Sequence, residues 1–209
     1  MTSLCIVRHG ETAWNAEHRV QGQLDVPLNA VGLAQALAVS TVLAQERFDA
    51  IYSSDLSRAR QTAEPTASIL SATVLLEKDL RERHYGIFER LTYAEAKIRF
   101  PEDYARFAAR DPEYDFRTGE SLRDFSARSI AVISRIAGQH AGESILIFTH
   151  GGVLDKLYRH ITGLRLSAER NFGIPNAGLN RIELAAAGWQ IRSWADVAHL
   201  ESALDDLPE

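Results

Sequence analysis

Two short apolar runs in this chain end in the same way, and this pairing limits the fold more than any other feature. Leu4-Cys5-Ile6-Val7 runs into Arg8-His9-Gly10, and the stretch at 144–149 runs into His150-Gly151-Gly152. A short run without polar alternation reads as a strand buried on both faces, as in a parallel sheet covered by helices. The rest of the pattern supplies those helices. Residues 29–46, opened by Asn29 as a cap, read as one helix, and 57–70 as another with a break expected at Pro65. Residues 120–140 form the clearest amphipathic helix: Leu122, Phe125, Ser129, Val132, Ile133 and Ile136 recur at near-helical spacing, and Gly142 follows. Residues 49–53 and 73–76 read as further strands, 91–109 as helix in pieces around Pro101, and 153–163 as helix. Residues 180–184 and 189–194 read as a hairpin about Gly188. The alternation predicts an α/β three-layer sandwich with a mostly parallel central sheet flanked by helices.

No stretch has linker composition, so residues 1–209 are expected to form a single domain. The formal net charge of -5 argues against nucleic acid and anionic membranes as general partners, so any bound anion needs a local positive cluster. Cys5 is the one cysteine, which rules out an intrachain disulfide; within an apolar run it reads as a buried spectator. No leader pattern and no run of membrane-spanning length is visible, and the expected compartment is the cytoplasm. The acidic tail at 205–209 is expected to fray.

In parallel α/β sheets, ligand sites form beyond the carboxyl ends of the strands. His9 and His150 would both lie on that edge. A third strand end, Ile51-Tyr52-Ser53-Ser54, leads into Asp55-Leu56-Ser57-Arg58 and would deliver Arg58 there. Two arginines, two histidines and nearby helix starts suit a phosphoryl group, because guanidinium groups grip phosphate oxygens in bidentate fashion and helix N-termini offer N–H donors. A neutral imidazole can attack phosphorus, and neighbouring Arg8 and Arg58 disfavour the imidazolium form. No carboxylate-rich or cysteine set accompanies the histidines, and two guanidinium groups repel a cation, so no metal or other cofactor is expected.

These residues resemble the histidine phosphatase superfamily, which includes the cofactor-dependent phosphoglycerate mutases. The resemblance begins with Arg8-His9-Gly10-Glu11-Thr12, Trp14-Asn15 and Gln21-Gly22. It continues through Ser53-Ser54-Asp55-Leu56 with Arg58-Ala59, Leu80-Arg81-Glu82-Arg83, Gly119-Glu120-Ser121 and His150-Gly151-Gly152-Val153, in family order over nearly the whole chain. It implies the phosphoglycerate mutase-like fold and a phosphohistidine intermediate. By the resemblance, His9 is the phosphoryl acceptor, Arg8, Arg58 and His150 clamp the phosphate, and Glu82 is the proton donor. Asn15, Gln21, Gly22, Gly151 and Tyr85 line the substrate side. Competing structural roles are a surface ion pair for Glu82, a cap for Asn15, and packing for Trp14, Trp189 and Trp194.

The branch point is the acceptor of the phosphoryl group. Mutases of the family carry an extended basic segment and typically Asn after the second His-Gly. Here 91–118 lacks an adjacent arginine pair and Gly152 fills that place, which resembles the phosphatases. Arg90 stands where phosphatases usually have Gly, and solvent exposure is expected for it. The expectation is hydrolysis of small phosphomonoesters; the alternatives are a cofactor-dependent phosphoglycerate mutase and a non-catalytic phosphoester-binding module. A homodimer through 91–107 or the C-terminal hairpin is the oligomer considered.

Overall fold

The computed structural model describes residues 1–202 and 205. Six strands form one mixed sheet in the order β3-β2-β4-β1-β5-β6. The parallel half comprises β1 (Thr2–Arg8), β2 (Ala50–Ser53), β3 (Val74–Leu76) and β4 (Ser144–Thr149). β5 (Leu179–Ala185) runs antiparallel to β1, and β6 (Gly188–Asp196) antiparallel to β5, closing the hairpin expected about Gly188.

Side chains of a strand alternate between faces, and the two inner strands show this directly. Leu4, Ile6, Ile145 and Ile147 enter one core with Phe125, Val132, Ile133, Val153 and Leu157. These partners come from α6 (Leu122–Gln139) and α7 (Gly151–Thr162). Cys5, Val7, Leu146 and Phe148 enter the opposite core with Val39, Leu43, Ala63 and Ala67. Those lie on α2 (Ala30–Leu43) and α3 (Ser57–Leu70). Two apolar faces need two helical layers, which is why neither run alternates. Cys5 is buried, and desolvation pushes its thiol up to about 12, as expected of a spectator.

The helix ends follow the local sequence. Asn29 caps α2 by accepting from the Gly32 amide at 2.8 Å, and Ser121 caps α6 by accepting from the Asp124 amide at 3.0 Å. α1 (Ala13–Ala16) is a single short turn. The stretch around Pro101 divides into α4 (Tyr93–Arg99) and α5 (Pro101–Ala108), with Pro101 in the first turn of α5. With Val20, Phe88 and Phe116, this segment forms a third apolar cluster.

Two expectations need correction. Pro65 does not break α3, which runs unbroken from Ser57 to Leu70. Burial of its Ala59, Ala63 and Ala67 face holds the helix through the missing N–H bond. The fraying expected of the acidic tail fails at Asp205, whose Oδ2 accepts from Arg170 Nη1 at 2.7 Å and from the Ile174 amide at 2.8 Å. Residues 206–209 lie outside the described residues. No helix among the described residues is long and apolar enough to cross a membrane.

Candidate active site

The sheet register brings the two His-Gly turns together. β1 and β4 are adjacent and parallel, with Arg8 opposite Thr149, so His9 and His150 leave neighbouring strands at the same level. The His9 amide donates to Thr149 O at 2.9 Å, and the Ser54 amide, at the end of β2, donates to Phe148 O at 2.9 Å. The His9 and His150 ring centroids are 5.1 Å apart.

His9 is buried, and its Nδ1 lies 2.7 Å from Gly10 O. A carbonyl can only accept, so Nδ1 carries the proton and Nε2 keeps its lone pair. Burial, then the charge of Arg58, then that of Arg8 hold this imidazole well below its ordinary value, against the opposing Gly10 bond. His9 is therefore neutral at neutral pH.

Arg8, His9, Asn15, Gln21, Gly22, Arg58, Glu82 and Tyr85 all line one open cavity of about 380 Å³. Arg8 is anchored through Nη1 to Ile174 O at 2.7 Å. Arg58, at the start of α3, donates Nη1 to Leu24 O at 2.9 Å and Nη2 to Gly22 O at 2.8 Å, while its Nε is buried without a partner. Gly22 thus acts through its carbonyl. Burial is the main influence on Arg58 and lowers its guanidinium to about 10.

Glu82 is where the surface reading fails. Its carboxylate is buried, accepting from the Arg83 amide at Oε1 (2.7 Å) and from the Gly152 amide at Oε2 (2.9 Å). The neighbouring charges pair elsewhere: Arg81 grips Asp55 through two bonds of 2.6 Å, and Arg83 donates to Glu120 O and Tyr114 O. The approach to Gly152 is so close that a Cβ there would lie 2.0 Å from Glu82 Oε1. Asn15 combines both of its expected roles. Its Oδ1 accepts from the Thr12 amide and hydroxyl in a capping box, and the residue also lines the cavity.

His150 and Gly151 sit differently from the expectation. His150 is fully buried beside His9 and, like Gly151, is not among the residues lining the cavity. Its Nε2 lies 2.8 Å from Ser54 Oγ, and its Nδ1 is buried without a partner. Burial, then Arg58, then His9 hold it well below the ordinary histidine value. Arg90 is exposed, at a φ of 73° that a glycine takes without strain. Trp189 and Trp194 pack on the apolar core, as expected.

Sequence reasoning missed several contributors. Arg19, Val20 and Tyr93 also line the cavity. Thr62 Oγ1 accepts from the Gly10 amide, and Asn176 donates to His9 O at 3.0 Å. The signal for the last was the turn-forming run Pro175-Asn176-Ala177-Gly178, which no periodic element had claimed. Among the described residues, no group of three or more His, Cys, Asp or Glu is placed to hold a metal ion.

Known proteins resemble this chain over most of its length. A metal-independent phosphoserine phosphatase of Arabidopsis thaliana is 40% identical over 205 residues, covering 97% of this chain and 84% of that protein. The phosphoglycerate mutase-like protein 4 of the same plant is 42% identical over 202 residues, covering 95% of this chain and 86% of its own. A phosphoserine phosphatase variant of Entamoeba histolytica, solved with phosphoserine, superposes with a TM-score of 0.86 at 26% identity, covering 96% of this chain and 100% of that one. The profile of the histidine phosphatase superfamily (branch 1) matches residues 4–197, and the chain belongs to that superfamily.

Proposed function

We propose that this protein hydrolyses small phosphomonoesters through a phosphohistidine at His9. The observation that carries the reading is a neutral imidazole, its Nε2 lone pair available, sharing an open cavity with two guanidinium groups. A phosphate seated there meets Arg8 and Arg58. Arg58 Nε, which is buried without a partner, is a donor that such an anion would satisfy.

The chemistry divides into two displacements. His9 Nε2 attacks phosphorus, the P–O bond to the leaving alcohol breaks, and protonated Glu82 gives its proton to the departing oxygen. Water then attacks the phosphohistidine. Its proton passes to the Glu82 carboxylate, the P–N bond breaks, and its electron pair returns to His9. Arg8 and Arg58 hold the charge on the equatorial oxygens in both steps, with His150 buried beside His9. The amides of Arg83 and Gly152 fix the Glu82 carboxyl for both proton transfers.

Relatives named as phosphoserine phosphatases support a phosphorylated metabolite of that size as substrate. The reading takes residues 1–209 as one domain, acting in the cytoplasm without metal or cofactor, with a homodimer as the assembly to test. A phosphate-release assay over a metabolite panel with EDTA present, beside His9→Ala, tests it. The mutase reading draws support from the relative named as mutase-like. It prevails if the enzyme interconverts 2- and 3-phosphoglycerate quickly while releasing almost no inorganic phosphate. Tight phosphoester binding without turnover on any substrate would instead mark a non-catalytic module.

A further inference from the structure

A second cavity, of about 730 Å³, adjoins the phosphate cavity. Tyr85 lines both. Gly152, which lines the second, donates its amide to Glu82, which lines the first. Resting on the proposed hydrolysis, the position of Glu82 fixes a direction. The acid must touch the leaving oxygen, so the leaving alcohol lies on the Glu82 side of phosphorus and extends past Gly152 into the second cavity.

The walls of that cavity have a clear chemistry. Phe107, Tyr85 and Phe125 supply apolar surface, while Arg110 and Lys156 supply positive charge. The charge is under-compensated. Asp155 bonds Lys156 and also accepts from Arg159 Nε at 3.0 Å, with Arg110 Nη2 at 3.9 Å. One carboxylate therefore serves three cations among the described residues. Lys156 is almost wholly buried, and desolvation lowers its ammonium to about 8. Buried positive charge exceeding its counter-charge, facing an open cavity, is the electrostatic form of an anion site.

We propose that the second cavity is a leaving-group subsite in which Lys156 and Arg110 bind a second anionic group, a carboxylate or a phosphate, at the far end of the substrate alcohol. The preferred substrates are then phosphomonoesters of hydroxy acids, or bisphosphates, rather than neutral alkyl phosphates. Lys156 and Arg110 determine specificity and take no part in phosphoryl transfer.

The test compares matched probes: linear ω-carboxyalkyl phosphates, alkane bisphosphates and neutral alkyl phosphates of equal chain length. The expected wild-type preference for an anionic probe over its neutral match is at least tenfold in kcat/KM, expressed mainly in KM. Lys156→Met and Arg110→Gln should each bring that ratio toward one, and Lys156→Arg should restore it. The carboxylate and phosphate arms show which anion the subsite takes. If Lys156→Met fails to fold, Arg110→Gln, altered at a less buried position, carries the comparison. A wild-type ratio near one, or a ratio unmoved by these variants, overturns the subsite while leaving the hydrolase reading intact. Absence of His9-dependent phosphate release from every probe removes both.

Discussion

Replacing Gly152 by alanine places a methyl group against the Glu82 carboxylate. The added carbon would lie 2.0 Å from Glu82 Oε1 and 3.0 Å from Phe125 Cε1. A relaxed contact needs roughly 3.5 Å, so the carboxylate must retreat by about 1.5 Å, since Phe125 blocks the other side. Retreat strains or breaks the Gly152 N–H to Glu82 Oε2 bond, which as a bond to a charged acceptor contributes about 1.5–3 kcal/mol. A displacement near 1 Å in a reacting group costs about 100-fold in rate. We therefore expect kcat/KM on alkyl phosphates, whose leaving oxygen needs a proton, to fall about 100-fold. An activated aryl phosphate separates the two steps. Its phenolate leaves without help, so His9 should still be phosphorylated, while water attack, which needs Glu82 as base, becomes slow. Rapid mixing of Gly152→Ala with p-nitrophenyl phosphate should show a burst near one equivalent of p-nitrophenol followed by slow turnover. A folded Gly152→Ala enzyme with wild-type turnover on alkyl phosphates would refute the assignment of Glu82 as the proton-transfer group.

Three further outcomes are expected. His9→Ala should lose at least about 1,000-fold in kcat and lose the acid-labile phosphoenzyme seen by ³¹P NMR; an undiminished phosphoenzyme would remove His9 as acceptor. His9 and His150 are both held below the ordinary histidine value, so the unfolded chain takes up protons that the native state refuses as pH falls below about 6.5. Below that pH each of these two histidines should add up to about 1.4 kcal/mol per unit to the decline in stability, and His9→Ala should remove one such share of the slope in urea melts. Arg128 donates to Asp79 O, Arg81 O and Glu82 O while pairing with Glu120, and thereby clamps the segment that carries Glu82. Arg128→Gln should lower kcat about tenfold with little change in KM, most on poor leaving groups; equal loss on all leaving groups would point to general destabilisation.

The sequence alone determined what is local. Unalternating apolar runs at β1 and β4 required a sheet covered on both faces, and the cap residue Asn29 marked where α2 starts. Two His-Gly turns at the carboxyl ends of parallel strands required a shared edge, which the Arg8–Thr149 register brings to one level. Tertiary structure decided what depends on contacts distant along the chain. Glu82 lies outside regular secondary structure, and only the amides of Arg83 and Gly152 turn its carboxylate inward, although its neighbours in sequence are mostly charged. Ile174 and Asn176, at the turn about Pro175, reach Arg8 and His9 across the sheet edge, and no periodic pattern records such a contact. Lys156 reads in the sequence as an ordinary helical cation; only the folding of the 107–111 segment over α7 makes it a buried charge in a cavity. Periodicity reports which face of an element is apolar, whereas the partner of a buried polar group is fixed by the long-range packing that removes it from water.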